Sequence, residues 1–209
     1  PLPYSFMHLK DLGKTNKGIL VQTSQPVNVV FHNYFEAAGE ATQIYPDAAL
    51  GTDYHITSWG IFNDPGEDNH TQFLITAVQN NTDVTIIPSV KTLGNHLAGE
   101  PINITLDRGE CYIVKADTSG VPIDHSLTHS SVTSSKPVSI IAGVTCGYVP
   151  LQEEACNELL DQILPRTITG TTFYVAPLRD KNVQNTVLFS SAKKDFFVLT
   201  TGGTNYASR

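Results

Sequence analysis

The sequence predicts an all-β protein: two similar antiparallel β-sandwich-like units from an internal duplication, with one short helix near 153–164. Three observations predict it. Three sequence blocks recur in the same order along the chain. Short runs of alternating apolar and polar residues are separated by turn residues every few positions. Charged residues make up only 16% of the 209-residue chain, while Thr, Ser, Asn and Val are plentiful, a composition that suits pleated sheet.

The repeat organises the chain, and repeats are sought first because missing one mis-reads the whole fold. Thr23-Ser24-Gln25-Pro26-Val27-Asn28-Val29-Val30 returns as Ser134-Ser135-Lys136-Pro137-Val138-Ser139-Ile140-Ile141, 111 positions on. Residues 46–59 (PDAALGTDYHITSW) return as 165–178 (PRTITGTTFYVAPL), offset by 119. Gln72–Ala77 returns as Thr186–Ser191, offset by 114. The drift of the offsets is what loop insertions produce. The expected units are 16–126 and 127–209. Nothing in the second matches residues 102–114 of the first, so the second reads as truncated and the chain as a piece of a longer protein.

Each block has a local reading. Proline lacks a ladder donor and belongs at a strand start or edge, so Pro26 and Pro137 introduce strands. Val27, Val29 and Phe31 then share one face, as do Val138, Ile140 and Ala142. Gly51 and Gly170 read as turn residues before a strand. Gln79-Asn80-Asn81-Thr82 reads as the turn of a hairpin, with Lys193-Lys194-Asp195 as its copy. Asp107-Arg108-Gly109-Glu110 reads as a second hairpin turn, between Ile102–Leu106 and Cys111–Val114. Cys156, Leu159, Leu160 and Ile163 follow i, i+3, i+4, i+7 spacing and Pro165 closes the run, which predicts the short amphipathic helix.

The net charge of −7 and the scattering of thirteen basic residues exclude a phosphate backbone as partner, so no nucleic acid is expected. No apolar run approaches the ~18 residues of a membrane span. The segment PLPYSFMHLK is not a signal peptide. Three N-x-T triplets, at Asn69, Asn80 and Asn103, are glycosylation candidates, and with the cysteine usage they point to a secreted, extracellular protein.

The stretches SxPVxV (twice), ALGTDYHITSW, FLITAVQNNTDVTI, LDRGECYIV and SSKPVSIIAGVTCGYVPLQEEACNELLDQILP followed by GTTFYVAPL resemble the N-terminal domain family of the IgG Fc-binding protein. The resemblance runs from Gly18 onward and is most specific in the cysteine-bearing stretch. It implies an extracellular, mucus-type β module, often followed by further domains such as von Willebrand type D units. It also implies a Cys146–Cys156 disulfide. So short a loop makes such a bridge worth about 2–3 kcal/mol on a chain-entropy estimate. The other reading is a pair of reduced buried cysteines. Fc binding is not implied, because no residue motif carries it. Cys111 departs from the family pattern, which more often has Thr or another residue there. It is either a buried strand residue or a thiol for an intermolecular bridge.

Chemistry-bearing patterns are sparse. No HxH, HExxH, CxxC or GxSxG occurs, and Asp124-His125 with His129 reads as a polar loop. No catalytic residues, cofactor or enzyme activity is expected. The densest oxygen cluster, with Asp64, Glu67 and Asp68, is a calcium candidate without EF-hand spacing. Trp59, at a strand end, either seals the sandwich or anchors a partner. The expected function is a secreted, non-enzymatic binding or scaffold module for extracellular matrix, mucus or cell-surface adhesion, with a protein or glycoprotein partner. The alternative is a lectin-like glycan-binding module, calcium-dependent through Asp64, Glu67 and Asp68.

Overall fold

A computed structural model describes residues 11–35, 38–59, 69–119, 126–147, 156–174, 197–201 and 204–208. They form twelve strands: β1 (Gly13–Thr15), β2 (Val29–Phe35), β3 (Ala38–Ile44), β4 (Gly51–His55), β5 (Thr71–Ala77), β6 (Thr82–Ile87), β7 (Ile102–Leu106), β8 (Cys111–Lys115), β9 (Ser131–Gly147), β10 (Asn157–Gln162), β11 (Phe197–Thr201) and β12 (Thr204–Ser208). Two single-turn 3₁₀ segments, Asp47–Ala49 and Arg166–Ile168, are the other regular elements. The expected all-β class is what the chain adopts.

Every pairing in the main sheet is antiparallel, and β9 is its spine. β5 runs along residues 138–144 of β9, and β6 runs along 131–134 in the same direction. β8 lies against β5 and β7 against β6. β4 takes the first part of β9 (131–138) and β10 takes the last (141–147). β1 lies outside β8, while β2–β3 and β11–β12 are separate two-stranded ladders.

This register corrects two expectations. Residues 79–82 and 107–110 are corners, not hairpin turns. β5 does not fold back on β6; the two lie end to end along β9, and β8 and β7 follow them. The corners hold each other: Ala77 N donates to Glu110 O at 3.0 Å and Gly109 N to Ala77 O at 2.9 Å. Asn81 N donates to Asp107 Oδ1 at 2.9 Å. Asn81 (φ 53°) and Gly109 (φ 84°) supply the left-handed backbone that a sharp bend requires. A polar, turn-prone tetrapeptide fits either role, and only the long-range ladder decides between them.

The third correction concerns the helix expected near 153–164. Residues 157–162 are strand β10, with Leu160 opposite Gly143 and Gln162 opposite Ile141. Residues 153–155 lie outside the described ones. NELLDQ has good helix formers, but a helix that short gains little by itself in water. The backbone ladder to β9 wins.

Bending at the corners folds the sheet over one core. Tyr54, Phe73, Ile75, Val84, Ile86, Leu106, Val132, Val138 and Ile140 form its centre. Residues of β5 alternate between buried and half-buried along its length, the pattern of a strand with one face inward. Tyr54 also ties the turn before β4 to the spine: its hydroxyl donates to Val138 O at 2.6 Å and accepts from Gly51 N at 2.8 Å.

Two of the recurring blocks take similar local forms among the described residues. β2–β3 followed by a Pro46-led 3₁₀ turn matches β9–β10 followed by a Pro165-led one. The two prolines have φ/ψ of −69°/162° and −66°/155°. Strands β3 and β10 then lie side by side, joined by side chains rather than by a ladder. Gly39 N donates to Asn157 Oδ1, Tyr45 N to Gln162 Oε1, and the Thr42 hydroxyl to Asp161. Of the remaining copy, residues 175–196 lie outside the described ones, including the Lys193-Lys194-Asp195 turn.

Candidate functional site

The strands bring one end of the sheet together from four parts of the sequence. The end of β9, the start of β5, the start of β10 and the segment after β4 meet there. Cys146 and Cys156 are joined by a disulfide across β9 and β10, with Cα atoms 5.1 Å apart. The next pair along, Gly147 and Asn157, is already in ladder register. The bridge therefore fastens the mouth of a strand pair that must reverse between residues 147 and 157. This is the pairing that the resemblance implied.

Beside the bridge lies a hydroxyl network. Ser58 Oγ and Thr71 Oγ1 are 2.7 Å apart, and Ser58 Oγ also donates to Gly143 O at 3.1 Å. Ser58 N donates to Thr128 Oγ1, and Ser126 Oγ donates to Ser58 O, both at 2.8 Å. His129 N donates to Ile56 O, and Ile56 N to Ser130 O. These bonds fix residues 126–130 to the segment after β4 without a ladder. Their hydroxyls serve one another and backbone carbonyls, which is how buried polar groups are satisfied.

Asn69 and His70 enter from the other side. Thr145 Oγ1 donates to Asn69 Oδ1, and His70 N donates to Thr145 Oγ1, each at 3.0 Å. Trp59 closes the corner over Gly147, where a Cβ would come within 3.3 Å of its ring and 2.8 Å of Val144 Cγ1. Gly147 is needed there for space. Chain segments 60–68 and 148–155 leave from and return to this braced end, and segment 120–125 returns to it at Ser126. They lie outside the described residues, as do the calcium candidates Asp64, Glu67 and Asp68 and the loop residues Asp124 and His125.

Other singled-out residues fall elsewhere. Cys111 is a free thiol on β8, 1% exposed and 3.3 Å from Thr76 Oγ1. Burial raises its pKa. It is the buried strand residue of the two readings, since a thiol so enclosed cannot reach another chain without the strand opening. Asn80 sits exposed at the β5–β6 corner and Asn103 exposed on β7, whereas Asn69 is only 7% exposed. Among the described residues no group of three or more His, Cys, Asp and Glu is placed to hold a metal ion, and no helix is long and apolar enough to cross a membrane.

Sequence reasoning missed two features. One is the salt bridge of Lys91 to Asp117 at 2.7 Å. Lys91 and the Ser119 hydroxyl and amide hold the Asp117 carboxyl down to about 2. The other is the acidic seam between the β2–β3 hairpin and β10, where Glu158 accepts from Asn33 Nδ2 at 2.7 Å. Neither has a local signal, because the partners are brought together only by the fold.

Residues 40–206 match the family model described as IgGFc binding protein. The chain belongs to the IgGFc-binding protein family. It is 27% identical over 169 residues to the human IgGFc-binding protein, which covers 78% of this chain and 3% of that protein. The chain thus spans a small part of its curated relative's length. No solved structure matches it. The family match spans most of the quoted stretches, the braced β9–β10 pair included.

Proposed function

We propose that this family member is a secreted, non-enzymatic module that binds an extracellular protein or glycoprotein, in matrix, in mucus or at a cell surface. Its contact surface is the disulfide-braced end of the sheet. The observation that carries this reading is convergence. Two chain segments, 60–68 and 148–155, start and finish on residues that the disulfide and its neighbouring hydrogen bonds hold in place, and a third, 120–125, returns to the network at Ser126, which is how rigid β scaffolds present recognition segments. The human relative is named for binding IgG Fc, so Fc is the first partner to try.

The test is a binding screen of the oxidised chain against IgG Fc, mucins and matrix glycoproteins, followed by hydrogen exchange on any complex. Protection at residues 56–59, 69–71, 126–130 and 144–147 is the expected outcome. A partner that protects β6–β7 and leaves this end exchanging would sink the placement. Binding of free glycans, abolished by a chelator, would favour the lectin reading. No binding at all would count against a binding module.

A further inference from the structure

We infer that Asn80 and Asn103 carry N-linked glycans, that Asn69 does not, and that the Asn103 glycan guards the outer edge of the sheet. The inference rests on the extracellular reading. All three triplets fit the acceptor pattern, so sequence alone cannot rank them; the fold separates them.

Asn69 is enclosed. Its side-chain carbonyl accepts from Thr145 Oγ1 at 3.0 Å, inside the braced end. A glycan on Asn69 would have to displace β9 from β5, so a chain so modified cannot close this end.

Asn80 and Asn103 differ from Asn69 in exposure. Both side chains are exposed. In each, the carbonyl oxygen is the atom engaged with the protein: Asn80 Oδ1 accepts from Arg108 N at 3.0 Å, and Asn103 Oδ1 from Thr85 Oγ1 at 2.8 Å. The amide nitrogen is the atom that takes the sugar. A glycan on Nδ2 therefore leaves those two bonds in place and fixes the direction in which it projects. In the transfer, Nδ2 attacks C1 of a lipid-linked oligosaccharide diphosphate. The new N–C1 bond forms, the C1–O bond to phosphate breaks, the lipid diphosphate leaves, and Nδ2 gives up one proton to the transferase.

The position gives the modification a purpose. β7 ends the main sheet among the described strands, pairing with β6 alone. An outer strand offers unpaired backbone groups to another chain, and natural sheets block such edges. Asn103 lies on β7, and Asn80 lies on the corner beside its end. Both sites lie beyond the far end of β5 from the disulfide, so glycans here leave the proposed binding end uncovered.

The test expresses the full chain through a secretory pathway, digests it with a glycan-releasing amidase, and maps peptides and cysteine state. The expected result is conversion of Asn80 and Asn103 to Asp, an unmodified Asn69, and an intact Cys146–Cys156 bridge. A glycan on Asn69 of bridged protein, or bare Asn80 and Asn103 in bridged protein, overturns the inference alone. Bare sites together with reduced cysteines overturn it and the extracellular reading with it. For the guarding role, Asn103→Gln should shift sedimentation from monomer towards dimer or larger species while the glycosylated chain stays monomeric. Asn103→Gln that remains monomeric removes that role.

Discussion

Hairpins β2–β3 and β9–β10 begin with related sequence and end in matching proline-led turns, yet they live in different surroundings. Val138 and Val27 occupy the same repeat position. Val138 is fully buried at the centre of the core, whereas Val27 is 57% exposed. The phase of alternation is conserved, with Val29, Phe31 and Asn33 half-buried and Val30, His32 and Tyr34 exposed. The local sequence thus specifies the hairpin, the turn and the inward face. What covers that face depends on the rest of the chain. On β9 it is the core that residues of β4, β5 and β6 help to build, while β2–β3 meets β10 through side chains.

The sharpest way to break the comparison is to make one change at both places. Val138→Ala removes two buried methyl groups and leaves a cavity between β4 and β5. It should cost about 2–3 kcal/mol. Val27→Ala, at an exposed position, should stay within ~0.5 kcal/mol. Urea midpoints of the two variants measure this directly. Equal losses would mean that β2 is as deeply packed as β9 and that the contrast is false.

The paired glycines give a second, smaller contrast. A Cβ on Gly51 would lie 2.5 Å from Pro165 Cβ, so the turn of one copy rests on the turn of the other. At Gly170 the nearest atom would be Phe173 Cζ, at 3.5 Å, an ordinary contact. Gly51→Ala should therefore cost about 1–3 kcal/mol through overpacking. Gly170→Ala should be close to neutral. Thermal denaturation of both resolves the difference. A neutral Gly51→Ala would show that the two turns part without cost.

These elements also show what the sequence made legible. The strands around Val138 and Phe73 announce themselves locally, by alternation, whereas the 3₁₀ turns after Pro46 and Pro165 do not: Pro165 reads equally as the stop of a helix. The disulfide came from resemblance and was correct. The corners at 79–82 and 107–110 were not legible as corners. Whether a polar turn folds a strand back or bends it onward depends on which strand receives it, here β9, some fifty residues later. The helix expected at Leu159 and Leu160 failed for a related reason. Its apolar spacing is real, but Cys156 is clamped to Cys146, and the clamp delivers the next residues to the free edge of β9. At the braced end, Cys146, Cys156 and Asn69 were picked out in advance. Ser58, Thr128 and Thr145 were not, because a hydroxyl carries no signal until its partner is in place.

The smallest effect sharpens the comparison at the seam itself. Glu158 on β10 faces Asn33 of β2, with Glu40 of β3 near. Burial raises its pKa above the ordinary carboxylate value; the Asn33 hydrogen bond opposes this, and Glu40 adds to it. The folded state therefore binds the proton more tightly than the unfolded one. At neutral pH the ionised carboxylate weighs against the docked hairpin. As the pH falls through the raised folded value towards the unfolded one, that penalty is relieved. Glu158→Gln keeps an acceptor for Asn33 without the charge. It should make the protein slightly more stable at pH 7, with the gain over the parent shrinking as the pH approaches 4.5. Urea titrations of both proteins across that range measure it. A gain that is constant with pH would mean that Glu158 is solvated and that the two hairpins touch more loosely than their side-chain bonds require.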